Sequence, residues 1–322
     1  MKSIYIGIDA SNYTSSFAAV DEEGGLVFEK RILLKVKKGL RGLRQSDAVF
    51  MHIRNFSTIL NEFKKCKGND NIVAICASTK PRPLKDSYMP VFLVSQTIGQ
   101  AFSMGSNTYF FETSHQEGHI MAGVWSTNIP TKDKFLAFHL SGGTTEIVLT
   151  EWKGDRFTER IIGGSQDLNA GQFIDRIGVA MELDFPCGSE LERLALSGEK
   201  GNISIPSSVK GTRISFSGPE TMGQRLINKG HNRADIAFAV QHCIAKSVEK
   251  VIKEAVRTTG VNNILMVGGV SSNQYLREFL RDQFQNTNIH LYYCSKKYSS
   301  DNSVGIALLA REKYKKYRRE SG

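Results

Sequence analysis

His115 and His119 stand four residues apart in Thr113-Ser-His-Gln-Glu-Gly-His-Ile-Met-Ala-Gly123, directly after an apolar run. On a helix that spacing stacks both imidazoles on one face. Two neutral ring nitrogens presented together suit a divalent metal, as in zinc helices of the His-Glu-x-x-His type, and here Glu117 lies between them. Two satisfied surface histidines on an ordinary helix are the plain alternative, so a third ligand is needed. Asp301 is the candidate, for reasons of symmetry in the order of elements.

A second chemistry resides in three polar turns. Ser141-Gly-Gly-Thr-Thr145 lies between two strands, with glycines that allow close backbone approach and hydroxyls that can donate to phosphate oxygens. Alone, it reads first as a hairpin turn without a ligand. Val267-Gly-Gly-Val-Ser-Ser-Asn273 repeats the device between a strand and a helix, so Gly268, Gly269 and Asn273 join Ser141, Gly142, Gly143, Thr144 and Thr145 as candidates around an anion. In Asp167-Leu-Asn-Ala-Gly-Gln-Phe-Ile-Asp175 the last carboxylate could accept from ribose hydroxyls, although a capping or ion-paired Asp is the ordinary explanation. Together the turns point to a nucleotide triphosphate cleft. Asp9 and Ser11, at the first polar turn, and Glu117 are the candidate catalytic residues.

The elements that must position these groups occur twice. Residues 3–33 read as a meander of strands, Ser3 to Asp9, Ser16 to Val20 and Leu26 to Leu33, the first two joined by the polar turn Ala10 to Ser15. Val49, Ile53, Phe56, Ile59, Leu60 and Phe63 predict a helix over 46–63. A strand over 71–77, a helix over 91–104 and a strand over 108–112 then deliver the histidine helix. From Lys134 the order restarts with strands over 135–140, 146–151 and 156–162. After a helical insertion come a helix over 234–257, a strand over 263–267, a helix over 274–284 and a strand over 289–294. That last strand leads to Asp301 and a closing helix over 304–318.

Such a duplication predicts an α/β chain of two like lobes with ligands in the cleft between them. We expect lobe one over 1–130 and lobe two over 131–303, with the insertion at about 165–232 and the C-terminal helix 304–322 packing back on lobe one. The histidine helix follows the last strand of one lobe and Asp301 the last strand of the other. In that symmetry two histidines and a distant carboxylate meet in a three-ligand site with open positions.

Composition is that of a globular chain: 322 residues, 40% hydrophobic and 23% charged, long enough for two cores. The N-terminus enters a strand pattern at once and no run of about 18 apolar residues occurs, so a cytoplasmic protein without a membrane partner is expected. Cys66, Cys76, Cys187, Cys243 and Cys294 form no Cys-x-x-Cys, which argues against a thiolate zinc site or a disulfide framework. The net charge of +10 is concentrated in Lys30, Arg31, Lys35, Lys37, Lys38, Arg41 and Arg44 and in Arg311 to Arg319. Those patches suit a polyanion such as RNA, or are solvated faces with no partner.

The chain resembles the TsaD family, once described as O-sialoglycoprotein endopeptidases, over nearly its whole length. His115-Gln-Glu-Gly-His119 matches the family's metal motif, Ser141 to Thr145 its Ser-Gly-Gly-His-Thr turn, and Asp167 to Arg176 its Asp-x-Ala-x-Gly segment. Phe185-Pro-Cys-Gly188 matches Tyr-Pro-Gly-Gly, Ile214-Ser-Phe-Ser-Gly218 matches Phe-Ser-Phe-Ser-Gly, Val267 to Asn273 matches Gly-Gly-Gly-Val-Ala-Ala-Asn, and Ser300-Asp-Asn302 matches Thr-Asp-Asn. The resemblance implies the duplicated two-lobe fold of actin and the sugar kinases, which is ribonuclease H-like. It implies ATP or threonylcarbamoyl-adenylate held by Ser141 to Thr145, Asp175, Gly188, Glu192 and Asn273, with iron or zinc on His115, His119 and Asp301. It further implies transfer of a threonylcarbamoyl group to N6 of adenosine 37 in tRNA, with accessory subunits of the TsaB and TsaE kind.

The departures mark a divergent paralogue. Asp9-Ala-Ser-Asn-Tyr-Thr-Ser15 stands where the family has Glu-Thr-Ser-Cys-Asp-Glu-Thr, so Tyr13 and Thr14 replace an acidic pair. Lys80 to Pro90 replaces Pro-Gly-Pro-Gly-Leu, Thr144 replaces the histidine of the phosphate turn, and Phe216-Ser-Gly-Pro-Glu-Thr221 replaces Phe-Ser-Gly-Leu-Lys-Thr. Two further readings therefore stand beside the transferase: a nucleotide-binding subunit without transfer chemistry, and carbamoyl transfer to another acceptor.

Overall fold

The computed structural model describes residues 2–37, 40 and 42–321. Its first half runs β1 (Ser3–Ala10), β2 (Thr14–Asp21), β3 (Leu26–Leu33), α1 (Gln45–Lys67), β4 (Asn71–Lys80), α2 (Phe92–Ser106), β5 (Tyr109–Ser114) and α3 (His115–Trp125). The second half runs β6 (Phe135–Leu140), β7 (Thr145–Trp152), β8 (Phe157–Ser165), α4 (Ala170–Ala180), α5 (Gly188–Ala195), β9 (Ser208–Lys210), β10 (Arg213–Ser215), α6 (Ser217–Asn228) and α7 (Arg233–Thr259). It closes with β11 (Asn263–Val267), a 3-10 turn over Gly269–Ser272, α8 (Gln274–Phe284), β12 (His290–Tyr293), α9 (Lys296–Ser299) and α10 (Val304–Ser321).

The duplication is visible in the strand order. One sheet is ordered β3-β2-β1-β4-β5, and the other, read from β8, contains β8-β7-β6-β11-β12. In both, a meander supplies antiparallel pairs and two helical crossovers add parallel strands, as parallel pairing requires a long connection. The insertion extends the second sheet through β10, which runs parallel to β8, and β9. Central strands are covered on both faces and so read as apolar runs: Ile4, Ile6 and Ile8 of β1 are fully buried.

Between the sheets lie α3 and α10, in a shared apolar cluster that includes Tyr5, Ala74, Ile120, Phe135, Leu265, Ile306 and Leu309. Glycine permits their close approach. A Cβ on Gly305 would fall 1.9 Å from the Gly118 carbonyl oxygen, and one on Gly7 would fall 2.3 Å from the Ala307 nitrogen. α10 therefore lies backbone-to-backbone against both α3 and β1, and this contact carries the preceding segment, with Asp301, up to the first turn of α3.

Element boundaries differ from the sequence expectation mainly where polar residues extend a strand. β2 begins at Thr14, because the Ser11 amide donates to the Thr14 carbonyl at 3.1 Å and closes a turn tighter than Ala10 to Ser15. α1 continues to Lys67 and stops at Gly68, which adopts φ +55°. Among the described residues no helix is long and apolar enough to cross a membrane. Four cysteines are buried and Cys66 is exposed, all as free thiols.

Candidate metal and nucleotide site

The histidine helix starts abruptly. Ser114 caps α3 in a capping box with Glu117, whose Oε2 accepts from the Thr113 hydroxyl at 3.0 Å, the Ser114 amide at 2.9 Å and the Ser114 hydroxyl at 2.8 Å. Glu117 thereby orders the first turn. Its carboxylate is engaged there, with no hydrogen bond to either imidazole among the described residues.

With the helix so started, the Nε2 atoms of His115 and His119 lie 3.1 Å apart. Asp301 reaches them from the other end of the chain, with Oδ1 3.2 Å from His119 Nε2 and 3.5 Å from His115 Nε2. One ligand atom from each residue falls within 4.8 Å of the others. Two imidazoles and a carboxylate converging so closely fit a divalent transition metal as a donor set.

Asp9 and Ser11 support this cluster. Both oxygens of Asp9 lie 3.1 Å from His115 Nδ1, and Asp9 also accepts from the Ser78 hydroxyl. The Ser11 hydroxyl donates to Asp301 Oδ2 at 2.5 Å. A carboxylate on the far nitrogen of a histidine fixes its tautomer and ring orientation, which is how supporting groups act at metal sites. Burial alone would lower the His115 pKa, but Asp9 and Asp301 beside it raise it instead. Burial alone would raise Asp301, yet the bonds from His115 and His119 hold it well below the usual carboxylate range.

A fourth group belongs to none of the sequence motifs. His139, near the end of β6, has its ring centroid 4.6 Å from that of His119, and burial pushes its pKa well below the ordinary histidine value. Its one local signal is its oddity, a lone polar residue in Phe135-Leu-Ala-Phe-His-Leu140.

The glycine turns gather beside this cluster. Ser141 closes its turn by accepting from the Thr144 amide on Oγ at 3.0 Å and donating its own amide to the Thr144 carbonyl at 2.8 Å. The Thr145 hydroxyl accepts from the Ala170 amide at 2.8 Å, which docks the N-terminus of α4 on the turn. A Cβ on Gly143 would lie 3.6 Å from Asn12 Nδ2, so the first turn of one sheet faces the phosphate-type turn of the other. At Gly142, Gly188 and Gly269 an added Cβ meets no atom within 4 Å, and φ is not positive. Neither packing nor conformation within the chain accounts for these glycines, whereas close approach of a ligand to the backbone would. Gly268 differs: its φ is +92°, and a Cβ would fall 2.3 Å from the Leu140 oxygen.

Asp175, Gly188, Glu192 and Asn273 form a chain of contacts. Asp175 Oδ1 accepts from the Cys187 amide at 2.8 Å, at the start of the helix that carries Gly188 and Glu192. Glu192 Oε1 accepts from the Gln274 amide at 2.6 Å. Asn273 caps α8 through Oδ1 and donates to Gln241 at 3.3 Å, so both ends of its amide are engaged within the protein. Burial raises the Asp175 pKa to about 6, against the lowering effect of the Cys187 amide. Asp167 is a structural tether, since it accepts from Ser215, Phe216 and Ser217 and so ties Ile214 to Gly218 onto the start of the insertion.

At the departed first turn, Tyr13 packs edge-on against Phe185 with centroids 5.2 Å apart. It thus reaches across from one sheet to the loop beside Asp175. Thr14 is 8% exposed in β2, opposite Leu33. In the basic stretch, Lys30 pairs with Glu62 at 2.9 Å and Arg31 with Glu29 at 2.9 Å, while Lys38 and Arg41 lie outside the described residues. In α10, Lys316 pairs with Asp155 at 3.0 Å, and Arg318 and Arg319 are exposed.

Known proteins resemble this chain over most of its length. Residues 87–308 match the family model described as TsaD, tRNA N6-adenosine threonylcarbamoyltransferase. The chain is 27% identical over 312 residues to a tRNA N6-adenosine threonylcarbamoyltransferase of Archaeoglobus fulgidus, covering 97% of this chain and 92% of that one. It is 26% identical to a probable bifunctional tRNA threonylcarbamoyladenosine biosynthesis protein of Methanocaldococcus jannaschii, covering 95% of this chain but 54% of that protein. In fold it is similar to a ROK family glucokinase from Streptomyces griseus, with TM-score 0.55 at 13% identity over 96% of this chain and 99% of the other. That likeness establishes the actin and sugar-kinase type of fold.

Proposed function

The chain belongs to the TsaD family of tRNA N6-adenosine threonylcarbamoyltransferases, and from that premise we propose that it transfers a threonylcarbamoyl group from threonylcarbamoyl-adenylate to N6 of adenosine 37 in tRNA. The observation that carries the reading is the convergence of His115, His119 and Asp301 from distant parts of the chain, each braced by a second polar group or by its partner. His115, His119 and Asp301 would hold iron or zinc, which when bound supplies polarisation and orientation of donor oxygens.

The chain's own residues have distinct roles in this reading. Asp9 keeps the proton on His115 Nδ1 and so leaves Nε2 as a donor atom, while Ser11 orients Asp301. The backbone of Ser141 to Thr145 and the open glycines Gly142, Gly188 and Gly269 admit the phosphate of the adenylate at hydrogen-bonding range. Asp175, when ionised, accepts from a ribose hydroxyl. In the transfer, N6 of adenosine bonds to the carbamoyl carbon, the bond from that carbon to the phosphate oxygen breaks, and N6 gives up a proton as AMP leaves. Positioning and charge stabilisation are the protein's contributions. Its basic surface, including Arg318 and Arg319, supports a tRNA partner. TsaB- and TsaE-like subunits are the accessory partners we propose, in a cytoplasmic setting.

Nucleoside mass spectrometry of tRNA from a deletion strain tests this directly. Loss of the threonylcarbamoyl nucleoside is expected. An unchanged level would instead support a nucleotide-binding subunit or a different acceptor, readings favoured by Tyr13 standing where the family has a carboxylate.

A further inference from the structure

His52 is fully buried in α1, and both of its ring nitrogens are bonded to the first polar turn. Nε2 lies 2.7 Å from the Ser11 carbonyl oxygen and Nδ1 lies 2.8 Å from the Ser15 hydroxyl. A carbonyl only accepts, so Nε2 carries the ring proton. Asn55 Nδ2 donates to the Ser15 hydroxyl at 3.1 Å, which directs the proton of that hydroxyl to Nδ1. The ring is thus held neutral in one tautomer, and burial pushes its pKa below the ordinary histidine value.

α1 presents these groups as a polar stripe. His52 lies two turns after Gln45 and one turn before Asn55, so the three side chains look the same way, and Gln45 Nε2 donates to Asn12 Oδ1 at 3.1 Å. Ala48 and Phe56 beside them are buried and apolar. What the stripe grips is the turn that carries Ser11. The Ser11 hydroxyl has two acceptors in reach, Asp301 Oδ2 at 2.5 Å and the Thr14 carbonyl at 3.3 Å. The second closes the turn on itself, whereas the first holds a candidate metal ligand. The tilt of the Ser11 residue decides between them, and His52 fixes that tilt at the carbonyl.

We propose that His52 is a positioning residue for the metal site: by holding the Ser11 carbonyl it aims the Ser11 hydroxyl at Asp301 and sets the carboxylate for the ion. The inference rests on reading His115, His119 and Asp301 as a metal site.

Two substitutions divide the ring. A glutamine amide nitrogen stands near the place of Nε2 and an asparagine amide near that of Nδ1, so His52→Gln keeps the bond to Ser11 and His52→Asn keeps the one to Ser15. Cobalt(II) and zinc titrations of the purified full chain, in chelator competition, compare them with the wild type. Both metal-free variants should melt lower, since each loses a buried hydrogen bond. Only His52→Asn should lose metal affinity, by about 10-fold, the low end of what removing a supporting group causes, and its cobalt absorption bands should shift. In a Ser11→Ala background the His52→Asn change should remove no further affinity, because its effect runs through that hydroxyl. A histidine that only stabilises the fold would leave both Kd values at that of the wild type, or weaken binding alike in both variants and in the Ser11→Ala background, and either result overturns the inference. Nitrogen NMR of the wild type with isotope-labelled histidine keeps the test open if His52→Asn does not fold: a ring protonated at Nε2 alone is expected, and a proton on Nδ1 would overturn the proposal. If the wild type takes up neither metal, the metal reading falls and the role of His52 falls with it.

Discussion

Both carboxylate oxygens of Asp9, near the end of β1, lie 3.1 Å from Nδ1 of His115, the first residue of α3. In sequence Asp9 is a candidate catalytic residue at the first polar turn. The geometry puts it where it would hold the tautomer of one candidate ligand, and most of what can be tested about the proposed site follows from such supporting contacts.

Asp9→Asn should leave the fold intact and weaken metal binding by about 10- to 100-fold, because a neutral amide no longer enforces the Nδ1 proton on His115. Chelator competition with zinc measures the change. An unaltered Kd would mean that Asp9 does not orient the ligand.

The paired glycines should separate into two kinds. Gly142→Val meets open space, so the Tm is expected to hold while binding of a non-hydrolysable ATP analogue is lost in calorimetry. Gly268→Val must instead fit a Cβ against the Leu140 carbonyl at φ +92°, a backbone conformation costing on the order of 1–3 kcal/mol for a non-glycine residue. It should lower the Tm before any effect on ligand is read. Retained affinity in Gly142→Val would remove the phosphate assignment from Ser141 to Thr145.

Asp175 should make nucleotide affinity depend on pH. Burial raises its pKa to about 6, so the acceptor form is lost as pH falls through that value, and affinity should drop between about pH 7 and 5. Asp175→Asn should flatten the profile. The sign for stability is opposite. A carboxyl whose folded pKa is raised above its ordinary value of 3.8 contributes stability present below 3.8 and lost as pH rises through about 6, so Asp175→Asn should gain most in Tm over the wild type above pH 6. A pH-independent difference between the two melting curves would contradict the burial of this group.

Tyr13 should separate binding from transfer. The wild type is expected to bind nucleotide and metal yet complement poorly a strain that lacks the family's usual enzyme. A general-base contribution is worth on the order of 10² to 10⁴ in rate, and the acidic pair that could supply it is replaced. Tyr13→Asp alone is the cleaner restoration, since Thr14 is 8% exposed within β2 and a Glu there would bury a charge. Full complementation by the unmodified chain would show that the acidic pair is dispensable.

Much of this was legible locally. The spacing of His115 and His119, the strand alternation, and the twice-repeated order of elements depend on neighbours within a few residues, and each survives in the structure with shifts of a few residues at its ends. Even the engagement of Glu117 had a local sign, Ser114 three residues before it, which is the capping-box pattern. That sign competed with the His-x-Glu-x-His reading, and the backbone amide of Ser114 decided it.

Other relationships have no local sign. Asp9 meets His115 across 106 residues and Ser11 meets Asp301 across 290, and neither pairing can be read from periodicity. They exist because Gly7, Gly118 and Gly305 let β1, α3 and α10 approach backbone to backbone, which brings both ends of the chain to one helix terminus. His139 is the extreme case. Sequence determines that a histidine stands on the α3-facing side of a buried strand, but whether its two nitrogens find partners depends on every surface packed against that side, and only the assembled sheets decide it.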